Sequence, residues 1–111
     1  MLNAQEAVKI CFSKYVTFSG RAPRAEFWWF VLFCFIIELI TAMIHQYLYT
    51  TALLAFLLPH LAVSVRRLHD TSRTGWWLLL ILIPIIGQLI LIFFLISPSQ
   101  PANEYGPPPV Y

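Results

Sequence analysis

Apolar residues gather in three long runs separated by short polar segments, and a shorter amphipathic stretch precedes them. In residues 2–16, Ala4, Ala7, Val8, Cys11, Phe12 and Tyr15 follow an i, i+3, i+4 spacing, while Gln5, Glu6, Lys9 and Ser13 fall opposite. That periodicity predicts an amphipathic helix. Because it lies just ahead of a spanning segment, the helix is expected to rest in the headgroup region with its apolar face toward lipid, the alternative being that it packs on other protein helices. Gly20 and Pro23 end it, and Pro23 suits the first turn of the helix that follows.

The three runs predict transmembrane helices over 26–47, 48–65 and 76–96. Each approaches the roughly 20 residues needed to cross a hydrocarbon core about 30 Å thick. Trp28 and Trp29 open the first run and Trp76 and Trp77 open the third, where indoles favour the membrane interface. Pro59 is expected to kink the second helix. Pro84 and Gly87 are expected to kink the third as one spanning helix, since re-entrant halves of about ten residues cannot each cross. The segment 97–111 is rich in proline and is expected to be extended, with polyproline-like pieces. The expected architecture is therefore all-α. It has an interfacial helix and three transmembrane helices in one membrane domain over 1–96, followed by a Pro-rich extended tail.

Composition supports this reading. Of 111 residues 59% are hydrophobic and only 11% charged, against about 25% charged in a soluble domain. The net charge of +2 is small, and no dense basic face marks a nucleic-acid partner. Residues 1–16 lack the basic start and immediate apolar core of a cleavable signal. Cys11 and Cys34 read as small apolar residues in compartments where a disulfide is not expected. No Cys-x-x-Cys or Cys/His pair stands at ligand spacing, so neither metal nor cofactor is expected.

Charge then orients the chain. All seven Lys and Arg residues lie in two segments: Lys9, Lys14, Arg21 and Arg24 before the first run, and Arg66, Arg67 and Arg73 between the second and third. The positive-inside rule places those segments in the cytoplasm, with the 44–49 turn and the tail outside.

Three polar residues fall inside the expected spans. Glu38 lies about ten residues deep, where a lone carboxyl costs on the order of 2.5–3.5 kcal/mol unless it is neutral, paired or turned toward protein. Cys34, Glu38, Thr41, Ala42 and His45 form one stripe, and Ala52, Ala55, Pro59 and Ala62 form a small-residue stripe on the second run. These faces are expected to pack as a hairpin, bringing His60 toward Glu38. Gln88 reads as an interhelical hydrogen bond.

The stretch 66–77 is the densest in polar groups. Adjacent His69 and Asp70 point about 100° apart on a helix and do not converge on one metal. The chain has a single Asp and no Ser in a Gly-x-Ser-x-Gly turn, so no catalytic residue is assigned. Arg66 and Arg67 are expected to complement a helix C-terminus and meet anionic headgroups. Asp70 is expected to pair with Arg67 or Arg73, and Gly75 to permit a tight turn into the third run.

Four stretches together carry a resemblance. They are Phe18-Ser19-Gly20-Arg21-Ala22-Pro23-Arg24-Ala25-Glu26-Phe27-Trp28, Arg66-Arg67-Leu68-His69-Asp70, Gly75-Trp76-Trp77 and Asn103-Glu104-Tyr105-Gly106-Pro107. In this order they resemble domain-of-unknown-function family 805, the YhaH-like small bacterial inner-membrane proteins. The resemblance implies a helical inner-membrane protein and no enzyme activity. Function then narrows to two expectations. One is a structural or interaction protein that packs with a membrane-protein partner or as a homo-oligomer. The other is an oligomeric transporter or channel component using Glu38 and His60. Arg21, Arg24, Trp28, Arg66, Arg67, His69, Asp70, Arg73, Trp76 and Trp77 are the candidate residues for partners and membrane lipids, all on one face.

Overall fold

A computed structural model describes residues 2–109; the last two residues of the expected tail lie outside them. Helix α1 (Ala4–Ser13) begins at Asn3, whose side chain accepts the Glu6 N–H at 2.8 Å, satisfying one of the donors a helix start leaves open. Ala7 and Cys11 on its apolar face are buried. Phe12 meets Phe30 edge-on at 5.5 Å, and the Tyr15 hydroxyl donates to the Ala55 carbonyl. The face expected against lipid therefore packs against protein. Periodicity reveals an apolar face but not what covers it.

Helices α2 (Arg24–Ile44) and α3 (Gln46–Asp70) form an antiparallel hairpin with only His45 between them. His45 is extended, and its ring nitrogen accepts the Tyr47 N–H at 3.1 Å. Both helices are long and apolar enough to cross a membrane, and only 17% and 22% of their most apolar windows are buried inside the protein. A core helix of a soluble domain would be mostly covered. From 35 to 51 no residue is buried, so that half of the hairpin leaves its side chains uncovered by the rest of the protein. Cys34, Ala52, Pro59 and Ala62 do line the seam, as expected; Ala55 is exposed. Helix α3 runs past the expected end at 65, through Arg66 and Arg67, to Asp70.

The third run is not one spanning helix. It divides into a 3-10 helix (Gly75–Leu82) and α4 (Ile86–Ile96). At rises of about 2.0 and 1.5 Å per residue each piece is roughly 16 Å long, half a hydrocarbon core. Ile85 joins them at φ 64°, ψ −65°, with the Ile86 N–H bonded to the Pro84 carbonyl at 2.7 Å. Those values define a γ-turn of the rare, strained hand. The chain folds back on itself, for Trp77 and Phe94 meet edge-on at 5.5 Å. The expected kink is thus a reversal, and the two halves pair with each other.

The core sits at one end of the molecule. Cys11, Phe27, Phe30, Val63, Leu68 and Leu95 pack there, beneath a cap of charged residues. The tail beyond Ser97 does not extend away. It lies over that cap and closes on itself through paired Asn103 and Gly106 hydrogen bonds of 3.1 and 3.0 Å.

Candidate functional site

The last turns of α3 carry Arg66, Arg67 and Asp70, all 0% exposed. Arg66 turns toward the α1–α2 side. Its Nη1 pairs with the Glu26 carboxylate and its Nε donates to the Thr17 carbonyl at 3.1 Å. Arg66 Nη2 is buried with no hydrogen-bond partner among the described residues. The Cys11 thiol lies 3.7 Å from Glu26 Oε2. Burial, and then the Glu26 charge, push that thiol up from 9.0 to about 12, so it stays protonated and donates.

Arg67 and Asp70 turn the other way. Arg67 donates to Asp70 Oδ2 at 2.7 Å, to the Leu95 carbonyl at 2.9 Å and to the Ser97 carbonyl. Trp28 Nε1 also reaches the Leu95 carbonyl at 3.3 Å, and Arg24 reaches that of Ile96 at 3.4 Å. The Arg67 guanidinium and the Trp28 indole therefore cap the C-terminus of α4, where open carbonyls and the helix dipole call for donors and positive charge, and Arg24 touches it only at its exposed edge.

Arg21 ties the tail to this centre. It pairs with Asp70 Oδ1 at 2.9–3.0 Å and donates to the carbonyls of Gln100, Pro101 and Gly106. The Ser99 hydroxyl donates to Asp70 as well, and the Gln100 N–H bonds the Asp70 carbonyl at 2.9 Å. Beside them His69 stacks on Tyr105, with centroids 3.8 Å apart and planes within 2°. Its Nδ1 lies 2.9 Å from the Gly20 carbonyl, which fixes the proton on that nitrogen because a carbonyl only accepts. Asn103 donates to the His69 carbonyl at 3.0 Å and to Ser72 Oγ at 2.9 Å.

This network corrects several expectations. Arg21, Arg66, Arg67, His69 and Asp70 do not meet lipid headgroups; they are buried, with backbone carbonyls where phosphates were expected. Asp70 pairs with Arg67 and also with Arg21, while Arg73 lies 3.8 Å over the Phe94 ring. The tail, expected across the membrane from the 66–75 loop, lies against it. The three arginines outnumber the two carboxylates (Glu26, Asp70) by one formal charge, and their remaining donors face the carbonyls of α4 and the tail. Buried ion pairs persist only when such further bonds are made.

Arg24, Trp76 and Trp77 are exposed. His60 packs against Phe27 and Phe30, with centroids 6.2 and 6.3 Å away. Glu38 is eight residues beyond Phe30, about 12 Å further along α2, so the two are not brought together. Gln88 bonds within the folded-back segment, accepting the Ile85 N–H at 2.9 Å and donating to the Ile81 carbonyl at 3.2 Å. Among the described residues no three His, Cys, Asp or Glu side chains converge as a metal site.

Glu26, Ser99, Asn103 and Tyr105, to which the sequence assigns no role, join this network, as does Cys11, which reads from the sequence as a small apolar residue. Glu26, Asn103 and Tyr105 did fall inside the quoted stretches, which the network brings together. Residues 18–28, 66–70 and 103–107 meet in one cluster, and Gly75 packs so closely that a Cβ would stand 3.0 Å from Val65 Cγ1.

Comparison with known proteins agrees with this grouping. The family described as protein of unknown function (DUF805) matches residues 15–107. Inner membrane protein YhaI of Escherichia coli (strain K12) is 45% identical over 105 residues, covering 87% of this chain and 89% of the relative. Inner membrane protein YhaH of the same organism is 44% identical over 108 residues, covering 86% and 88%. No solved structure matches. The matched region takes in all four stretches and the network they build, and the chain belongs to the DUF805 family.

Proposed function

We propose that this is a small multi-pass inner-membrane protein that works by packing against another membrane chain, as an accessory or structural component and not as an enzyme. One observation carries the reading. Glu38 lies on the rim of the α2–α3 hairpin, in an outward-facing groove of about 190 Å³ with Phe35, Leu39, Ala42 and Tyr49. A carboxyl at that depth costs about 2.5–3.5 kcal/mol facing lipid, a penalty that a covering helix removes. Ala42 beside it is the small residue that lets another helix approach closely.

A cysteine at Ala42 should therefore form a crosslinked adduct in native membranes, and Glu38→Leu should reduce its yield severalfold. An adduct of twice the chain mass identifies a second copy; a heavier or mixed band identifies a different chain. If Ala42→Cys stays monomeric in native membranes, the packing reading is lost.

The topology that fits best has two spans and one re-entrant hairpin, with the polar end and the tail in the cytoplasm. Its support is that all five arginines belong to that end and that the tail is bonded to Arg21 and Asp70. A reporter active only in the cytoplasm, fused after Tyr111, is expected to give full signal. A silent fusion, with an active control fused after Arg73, would restore a third span.

A further inference from the structure

Two apolar grooves lie side by side on the outer face of α2. The first, about 390 Å³, is walled by α1 at Ala4, Val8 and Lys9 and by α2 at Phe33 and Ile36. The second, about 380 Å³, is walled by Arg24, Ala25 and Trp28. Trp29 and Leu32 line both and form the ridge between them. The ridge is held in place because Trp29 Nε1 donates to the Leu2 carbonyl at 3.2 Å.

Each groove has one cation in its wall, and both cations are exposed. Arg21, Arg66 and Arg67 are consumed inside the protein; Lys9 and Arg24 are not. Arg24 makes a single 3.4 Å contact with a carbonyl, which leaves most of its fork free for an anion. From Arg24 to Ile36 the helix rises about 18 Å, close to the roughly 15 Å that one leaflet contributes to a hydrocarbon core.

We propose that this face binds one anionic diacyl phospholipid, its headgroup drawn by Lys9 and Arg24, one cation in the wall of each groove, and its two chains laid on either side of the Trp29–Leu32 ridge. Charge complementarity selects an anionic headgroup, and a pair of parallel apolar grooves selects two chains. The site shares no residue with the Glu38 groove, so either reading can fail without the other.

The test uses the full chain in a neutral detergent, titrated with dioleoyl phosphatidylglycerol or dioleoyl phosphatidylcholine and read by native mass spectrometry. The anionic lipid is expected to bind at least tenfold tighter. Each cation removed should cost roughly fivefold, so Lys9→Gln/Arg24→Gln should bring the two lipids within about twofold, while Lys14→Gln leaves the preference intact. Both substituted side chains are exposed, and an unchanged unfolding temperature verifies the fold. Equal binding of the two lipids by the parent protein overturns the proposal. So does an equal loss in Lys14→Gln, which would mark diffuse attraction, or single-chain lysophosphatidylglycerol binding as tightly as the diacyl lipid.

Discussion

Asp70→Asn is expected to destabilise the protein by about 3–5 kcal/mol, the range for removing one partner of a buried ion pair. Asparagine keeps the shape of the side chain, so packing is hardly disturbed and the loss reports charge. Without the carboxylate, Arg21 and Arg67 become buried cations facing each other with no anion between them. Their remaining contacts are carbonyls, which solvate charge but do not neutralise it. The loss should also release the tail, because Ser99 bonds the same carboxylate and Gln100 the same residue's carbonyl. Two measurements check this together: denaturant unfolding in detergent, and limited proteolysis within 97–106. Arg73→Gln serves as the contrast, since its cation–π contact with Phe94 is worth only about 0.5–1 kcal/mol at an accessible site. A change below about 1 kcal/mol for Asp70→Asn, with the tail still protected, would show that this network does not hold the fold.

How much of this was legible in the sequence divides along the distance between partners. The two helices long and apolar enough to cross a membrane follow from apolar runs that declare themselves locally, and their small-residue seam from spacing alone. The Trp pairs do mark the polar end, Trp28 through its bond to Leu95 and Trp77 against Phe94. The number of basic residues is plain in the sequence; the groups that surround them are not. Charge counting registers that cations cluster on one side of a membrane, whether phosphates or protein groups neutralise them. Arg66 finds Glu26 forty residues away and Arg21 finds Asp70 forty-nine away, and no periodicity connects such pairs. Only the co-occurrence of the four stretches hinted that they meet. For α1 the pattern located the apolar face, but lipid and protein are equally apolar covers for it. The third run was the hardest, because a hydrophobic stretch of 21 residues has one composition whether it crosses or turns back.

Gly87 decides that question, and Gly87→Ala is expected to cost about 3 kcal/mol, the upper part of the range for overpacking. A Cβ there would stand 1.9 Å from the Leu80 carbonyl oxygen and 2.8 Å from Ile83 Cβ. The first obstacle is backbone, which cannot swing aside as a side chain would. Gly75→Ala makes the comparison, for its Cβ would meet only the Val65 side chain at 3.0–3.1 Å, and it should cost clearly less. Opening the reversal relieves the clash at Gly87, since a continuous helix would carry residue 87 away from residue 80. It would also carry Leu95 and Ser97 away from Arg67, which donates to both carbonyls. The substitution thus sets the γ-turn at Ile85 against the buried charges, and one must yield. Spin labels replacing Trp77 and Phe94 read which one does. In the folded-back segment these rings lie 5.5 Å apart, whereas seventeen residues of unbroken α-helix would separate them by about 25 Å. A long distance in Gly87→Ala, with lowered stability, means the reversal depends on this glycine. A short distance with full stability would mean that Pro84 and the Arg67 cap close the hairpin without it.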